Sequence, residues 1–180
     1  DLYLPSIDKK VKFDICFGGN FFAILKAEDF GFEIVPKETA AITKMGLEVM
    51  AEANKQHSVQ HPLIPENNTI LLAEFGIHKE GEIARNCVIF GAQNVDRSPC
   101  GTGTCAKMAL LAAKGELKPG EIFPHESILG TVFEGHYEHG PKVGEFDAIQ
   151  PYIKGTANIT GFNWLIQQES DPLLPGFLLG

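Results

Sequence analysis

The stretch that decides the fold is "VDRSPCGTGTCAKMALLAAKGEL", residues 95–117. An acid, an arginine and a proline lead into a cysteine, small residues follow, and an apolar run comes next. This run predicts a helix from about Thr104 to Lys114, closed by Gly115, because glycine favours the left-handed conformation that commonly follows a helix. We expect a curled sheet to surround this helix, because the flanking segments are mostly strand-like.

The rest of the chain predicts many strands and one further substantial helix. Residues 11–25 alternate as a strand, break at Gly18-Gly19-Asn20 and continue as a buried strand. Residues 37–56 carry apolar side chains at helical spacing after Pro36. Further strands are predicted at 69–77 and 84–92, with two short ones in 120–138 and two or three in 142–167. The fold class predicted from these elements is α+β.

Composition and charge exclude several classes of protein. The chain has 180 residues, 44% of them hydrophobic and 21% charged, which is typical of a soluble globular protein. Its net charge of −8 and the lack of a basic run argue against nucleic acid and anionic membranes as partners. No apolar run approaches the roughly 20 residues of a membrane span, and the N-terminus does not resemble a signal peptide. We expect a cytoplasmic protein.

The four cysteines fit cytosolic thiols better than a disulfide scaffold or a metal site. Cys100 and Cys105 are five positions apart, with no second pair or histidine at a ligand spacing, so we expect no structural zinc. We expect Cys16 and Cys87 to be buried in strands and Cys105 to pack or cap within the helix. His125 precedes a strand and is expected to be a surface or structural residue.

The chemistry around Cys100 suggests a site for a zwitterion. Residues 101–104, Gly-Thr-Gly-Thr, offer successive backbone N–H groups at a helix N-terminus, and these can cradle an anion. The same field can lower the pKa of Cys100 from its reference of about 8.5. Asp96 lies close by in sequence and is able to hold a cation. A thiol at the Cα of a bound amino acid is a candidate acid/base for proton transfer.

Other interpretations of these residues remain open on local chemistry alone. A capping turn with Cys100 as a small buried side chain fits them about equally well. A phosphate-binding loop fits less well, because the Gly-Lys-Ser/Thr ending is missing. Cysteine-dependent acyl transfer needs a partner histidine, and no histidine has an identifying spacing.

The segment "DRSPCGTGT" followed by a helix resembles the second catalytic motif of the proline racemase family, which includes the 4-hydroxyproline 2-epimerases. Similar segments occur in the family's order along the chain: "FDICFGGNFFAIL" (13–25), "VQHP" (59–62), "CVIFG" (87–91), "HESILGTVFEG" (125–135) and "ITGFN…DPLLPGF" (159–177). The resemblance therefore covers nearly the whole chain.

The resemblance implies a reaction that uses neither a cofactor nor a metal. In this family two cysteines face each other across the substrate Cα, and one removes the proton while the other delivers a proton to the opposite face. Cys100 corresponds to one of them. Asp96 is expected to bind the ring nitrogen, the N–H groups of Gly101 and Thr102 the carboxylate, and Phe90 the apolar face of the ring.

The family's other catalytic motif, Met-x-Cys-Gly-His, does not occur in this sequence. The chain therefore resembles the C-terminal half of the family, whose fold is that of diaminopimelate epimerase: two lobes, each a curled, mostly antiparallel sheet around a central helix. Residues 10–150 are expected to form the second lobe, and residues 151–180 to return to the first lobe, with Trp164 packing there. The resemblance also implies a homodimer when full length. By itself, this chain is expected to be a catalytically inert single lobe.

The substrate implied is proline or 4-hydroxyproline. Phe90 favours proline, because a site specialised for a hydroxyl group should offer a polar partner at that position. The family also contains 3-hydroxyproline dehydratases, which carry threonine in place of this cysteine, so Cys100 argues against dehydration.

Overall fold

In a computed structural model of the chain, residues 1–79 and 81–176 are described. Two α-helices are present in this part, α1 (Thr39–Gln56) and α2 (Gly101–Ala113). The strands are β1 (Leu2–Leu4), β2 (Lys9–Val11), β3 (Asp14–Phe17), β4 (Phe21–Lys26), β5 (Ile70–Ile77), β6 (Ala84–Phe90), β7 (Asn94–Val95), β8 (Phe123–Glu126), β9 (Val132–His139) and β10 (Ile149–Lys154).

The main sheet is curled around α2. Its strand order is β10-β9-β8-β6-β5-β4-β3, with β7 paired to β6, and only the β4–β5 and β6–β8 pairs are parallel. Helix α2 contacts β3 and β4 towards one edge of the sheet and β9 and β10 at the other. A flat sheet would keep these edges far apart, because neighbouring strands are about 4.8 Å apart. The predicted α+β class and the sheet around a central helix are confirmed.

The central strands β4, β5 and β6 are buried on both faces, and alternation along each of them assigns its side chains to one helix or the other. In β4, Ala23 and Leu25 belong to the apolar core that includes α1. Phe22 and Ile24 belong to the cluster that includes Cys100 and other residues of α2. The same alternation continues in β5 and β6, so α2 and the cysteine before it lie against the concave face.

Two boundaries differ from the sequence prediction. Helix α2 begins at Gly101, three residues before the predicted start at Thr104. Residues 142–167 contain one strand, β10, instead of two or three. The segment after β10 forms no helix or strand from 155 to 168, because it pairs with no strand edge in the part of the chain that the structure describes. The predicted segment 151–180 extends beyond this part, since residues 177–180 lie outside it.

Among residues 1–79 and 81–176, no helix has both the length and the apolar character that a membrane span requires.

Candidate active site at the start of the central helix

A short loop fixes Cys100 at the N-terminus of α2. The backbone N–H of Asp96 donates to the Val88 carbonyl at 3.0 Å, which ties the loop to β6. The Asp96 carboxylate accepts hydrogen bonds from the Ser98 backbone N–H at 2.8 Å and from the Ser98 hydroxyl at 2.9 Å. The Ser98 Oγ in turn accepts the Cys100 N–H at 3.1 Å. Asp96 and Cys100 are therefore held on one side of the loop by a single serine.

Cys100 itself is the N-cap of α2. Its Sγ accepts the backbone N–H of Gly103 at 3.3 Å, and its carbonyl accepts the N–H of Thr104 at 2.8 Å. The Cys100 backbone has φ 66° and ψ 119°, a conformation that L residues rarely adopt. Such strain persists only where the surroundings enforce it, and it is common at functional sites.

The surroundings that enforce this strain are buried polar groups on two strands, β6 and β8, and on the helix. The Pro99 carbonyl accepts a hydrogen bond from Asn86 Nδ2 at 2.8 Å and one from the Thr104 hydroxyl at 3.2 Å. The Thr104 hydroxyl is also hydrogen-bonded to Nδ1 of His125 at 3.0 Å, where the tautomer of the imidazole sets which group donates. The peptide before Cys100 is thus held from both sides.

His125 is buried in β8, so the expectation of a structural residue holds and that of a surface position is wrong. Burial, with the charge of Lys107, lowers the pKa of His125 to about 3. Sequence reasoning did not identify Asn86, Thr104 or Glu74 as part of the site. Only Glu74 could have been noticed in the sequence, because it is a single acid within the apolar predicted strand "TILLAEFGI".

The thiol of Cys100 differs from its predicted state. Burial raises its pKa to about 11, and the charge of Asp96 raises it further, while hydrogen bonds from Thr102 and Gly103 act in the opposite direction. The expectation of a lowered pKa is wrong for this chain, because desolvation of the thiolate outweighs the hydrogen bonds of the helix start. At neutral pH Cys100 is a thiol in this structure.

The predicted anion cradle lies beside this thiol. The N–H groups of Gly101 and Thr102 occupy the first turn of α2 and donate to no acceptor in the described part of the chain. Phe90, at the end of β6, is 37% exposed. It lies two residues after Val88, whose side chain packs in the Cys100 cluster, so both project from the same face of the sheet. The structure therefore places Asp96, Cys100, Gly101 and Thr102 together, with Phe90 on the same face.

The other cysteines are placed differently. Cys87 is buried on the α1 side of the sheet, Cys16 is half-buried in β3, and Cys105 is half-buried in α2. Burial raises the pKa values of Cys16 and Cys87 to about 12 and also raises that of Cys105. In the described residues, no group of three or more His, Cys, Asp or Glu side chains is arranged to hold a metal ion.

The buried His125 makes the fold sensitive to acid. Its folded-state pKa of about 3 lies below the unfolded value of about 6.5, so its stabilising effect is complete above pH 6.5 and is lost as the pH falls towards 3. At pH 5 about 2 kcal/mol of this stabilisation has been lost. We expect the free energy of urea unfolding of the parent chain to fall by that amount, relative to His125→Asn, between pH 7.5 and pH 5. The exposed His139→Asn variant is the matched control, and equal pH dependence in all three proteins would contradict the prediction.

Comparisons with known proteins agree on one family. The family model described as proline racemase matches residues 4–178. A proline racemase of Clostridioides difficile is 48% identical over 98% of this chain and 53% of its own length. A 4-hydroxyproline epimerase of Brucella ovis is 39% identical over 93% of this chain and 51% of its own.

A solved structure gives the same answer for the fold. A hydroxyproline epimerase from Agrobacterium vitis, crystallised with trans-4-hydroxy-L-proline, superimposes with a TM-score of 0.82 at 32% identity and covers 94% of this chain. This chain covers 49% of that structure and spans about half the length of the curated relatives it matches. From the family match over most of its residues and from these relatives, the chain belongs to the proline racemase family.

Proposed function

We propose that this chain supplies one half of the active site of a proline racemase that needs no cofactor. The observation that carries the proposal is the Cys100 thiol, held in a strained conformation beside the free N–H groups of Gly101 and Thr102 and the Asp96 carboxylate. This combination of acid/base, anion site and cation site matches an α-amino acid.

The arrangement assigns a role to each group. The substrate carboxylate lies on the N–H groups of Gly101 and Thr102, where the partial positive charge of the helix N-terminus stabilises it. The ring ammonium lies on Asp96, whose Oδ1 is already oriented by Ser98. Phe90 contacts the apolar carbons of the ring. These contacts place the substrate Cα near Sγ of Cys100.

Inversion needs an acid and a base on opposite faces of the Cα. In one direction a thiolate on the far face takes the α-proton as the C–H bond breaks, and Cys100 gives its thiol proton to the near face of the carbanion. In the other direction Cys100 is the base and the far thiol is the acid. The raised pKa of Cys100 suits the first direction, since it keeps the thiol protonated at neutral pH. The Met-x-Cys-Gly-His motif, which carries the second cysteine in the family, does not occur in this sequence, so the far thiol comes from outside these 180 residues.

The C-terminal segment supports a site that is shared with another lobe. The apolar side chains of residues 159–166 are almost fully exposed, with Phe162 at 87%, Trp164 at 94% and Leu165 at 93%. Apolar groups of this size are rarely exposed together on a complete surface. We propose that residues 10–150 are the second lobe and that residues 151–180 pack on the first lobe. A cytoplasmic homodimer is part of the same proposal.

The substrate proposed is proline, with 4-hydroxyproline as the alternative. Phe90 offers no hydrogen-bond partner for a ring hydroxyl, which favours proline. The higher identity to the Clostridioides difficile proline racemase, 48% against 39% for the Brucella ovis epimerase, supports the same choice. Parallel assays with L-proline and trans-4-hydroxy-L-proline distinguish the two, and a higher kcat/KM for hydroxyproline would reverse the assignment.

The proposal predicts that the isolated chain is inactive. In D2O, residues 1–180 alone are expected to racemise L-proline no faster than buffer, because one thiol cannot both remove and replace the proton on opposite faces. Exchange of the α-proton is also expected to be no faster than buffer, because the raised pKa of Cys100 leaves little thiolate to act as a base at neutral pH. A protein that joins these residues to the preceding lobe is expected to exchange and racemise, as followed by proton NMR and polarimetry. Racemisation by the isolated chain would show that no second lobe is required. Absence of both activities from the joined, folded protein would exclude a proline racemase.

A further inference from the structure

Glu74 is the most unusual polar group of the fold that the proposed mechanism does not use. It lies in the middle of β5 and is fully buried on the side of the sheet that faces α2. Neither carboxyl oxygen has a hydrogen-bond partner in the described residues. The positive charge of Lys107 acts on Glu74, but the two side chains form no ion pair within 4.0 Å. A buried carboxylate without a partner is strongly destabilising, so the neutral acid is favoured at this position.

The position of Glu74 relative to Cys100 is defined by Gly103. A Cβ atom placed on Gly103 would lie 3.0 Å from Oε2 of Glu74 and 3.3 Å from Sγ of Cys100. The carboxyl group and the thiol are therefore neighbours on either side of the first turn of α2, separated only by the glycine. The N–H of this same glycine donates to Sγ of Cys100.

A second connection runs through Asn86. Its side chain adjoins Glu74 and favours the carboxylate form, while its Nδ2 donates to the carbonyl of Pro99, next to Cys100. The Asn86 Oδ1 is buried without a partner. Glu74 is therefore connected to Cys100 in two ways, across Gly103 in the first turn of α2 and through the Asn86 side chain that holds the peptide before Cys100.

We propose that Glu74 is a positioning residue that acts as a neutral carboxylic acid beneath the first turn of α2, and that loss of its proton suppresses the thiolate of Cys100. A Glu74 carboxylate and a Cys100 thiolate on either side of Gly103 would repel each other strongly, because the dielectric constant of a partly buried site is well below that of water. The inference rests on the acid/base role proposed for Cys100, but the thiol can be tested without any racemase activity.

Other titratable groups near Glu74 and Cys100 lie on the elements that pack around them. Lys107 on α2 favours the Glu74 carboxylate, and Cys16 on β3 and Cys87 on β6 are thiols whose pKa values Glu74 raises. Asp96, in the loop before α2, raises the pKa of Cys100. Burial raises the pKa of Glu74 to about 7, against the opposing effect of Lys107. Glu74 therefore changes its charge near neutral pH, below the range in which Cys100 loses its proton.

The test is the pH dependence of iodoacetamide alkylation at Cys100, measured in the 180-residue chain by peptide mass spectrometry. Glu74→Gln fixes the neutral state with almost the same shape. We expect this variant to lower the midpoint for Cys100 by about one to two pH units, so that alkylation at pH 9 is about ten times faster or more. Glu66→Gln, an exposed change in the loop before β5, is the matched control and is expected to leave the midpoint unchanged. A midpoint in Glu74→Gln equal to that of the parent chain would overturn the proposal.

A second measurement uses the unaltered chain and does not depend on how the variant folds. With ¹³C-labelled glutamate, the side-chain carboxyl of Glu74 is expected to titrate near pH 7. Titration of every glutamate carboxyl below pH 5 would show that Glu74 is ionised at neutral pH and would overturn the proposal. Racemase assays enter neither measurement, so the inference and the proposed function can fail separately.

Discussion

The Cys100→Ser variant, in a protein that carries both lobes, is expected to racemise L-proline at least about a thousandfold more slowly than its parent. A serine hydroxyl has a far higher pKa than a thiol, so it cannot take the α-proton at neutral pH, and it is a poorer acid in the reverse direction. The fold should persist, because serine is a preferred N-cap and its oxygen can accept the Gly103 N–H that Sγ accepts now. Polarimetry gives the inversion rate, and NMR in D2O gives the α-proton exchange.

The matched control is Cys105→Ser, which makes the same change one helical turn further along α2. Cys105 is half-buried, and in the described residues its side chain makes no hydrogen bond to the groups assigned to the substrate, so we expect kcat to stay within about threefold of the parent value. Thermal unfolding of both variants should show that each is folded. Racemisation by Cys100→Ser at a rate near that of Cys105→Ser would remove Cys100 from the mechanism.

The residues of the site that are close together in sequence were the ones that sequence analysis could identify. Asp96, Cys100, Gly101 and Thr102 lie within a span of seven consecutive positions, and the local chemistry of a helix N-terminus already relates them. Their assignment to an amino-acid substrate nevertheless depended on the resemblance, because a capping turn fits the same residues equally well.

The buried residues that support Cys100 could not be assigned from their spacing. Asn86 lies 13 positions before Pro99 and His125 lies 21 positions after Thr104, and the curled sheet brings each to its partner. The pKa of Cys100 was also beyond sequence reasoning. The helix start is a local feature that lowers the pKa, whereas the burial that raises it depends on strands from three separate segments.

The early start of α2 and the missing strands after β10 have physical causes. Gly101 and Gly103 disfavour a helix interior by roughly 1 kcal/mol each, so propensity places the start of α2 after them. The Cys100 side chain caps the helix earlier, and the glycine at 103 leaves room for Glu74, whose Oε2 would lie 3.0 Å from a Cβ at that position. The segment after β10 has the apolar composition of a strand, but a strand also needs an edge to pair with, and composition does not supply one.

The second large effect is expected at the turn between β3 and β4, where Gly18 contacts the start of α2. A Cβ on Gly18 would lie 2.2 Å from the Thr102 carbonyl oxygen and 2.5 Å from the Ala106 backbone nitrogen. Both atoms are helix backbone and cannot move aside as a side chain would. We expect Gly18→Ala to lower the free energy of urea unfolding by about 3 kcal/mol or more, at the upper end of overpacking effects.

The contact also connects this turn to the site, because Thr102 belongs to the anion cradle. If α2 moves away from the turn to relieve the overlap, the N–H groups of Gly101 and Thr102 move with it, and the two-lobed protein should lose kcat/KM along with stability. Gly161→Ala is the control, since a Cβ at that position meets no atom within 4 Å, and its effect should stay within about 0.5 kcal/mol. An equal, small effect of both substitutions would mean that the turn does not press on the helix, and the explanation of Gly18 by close packing would be wrong.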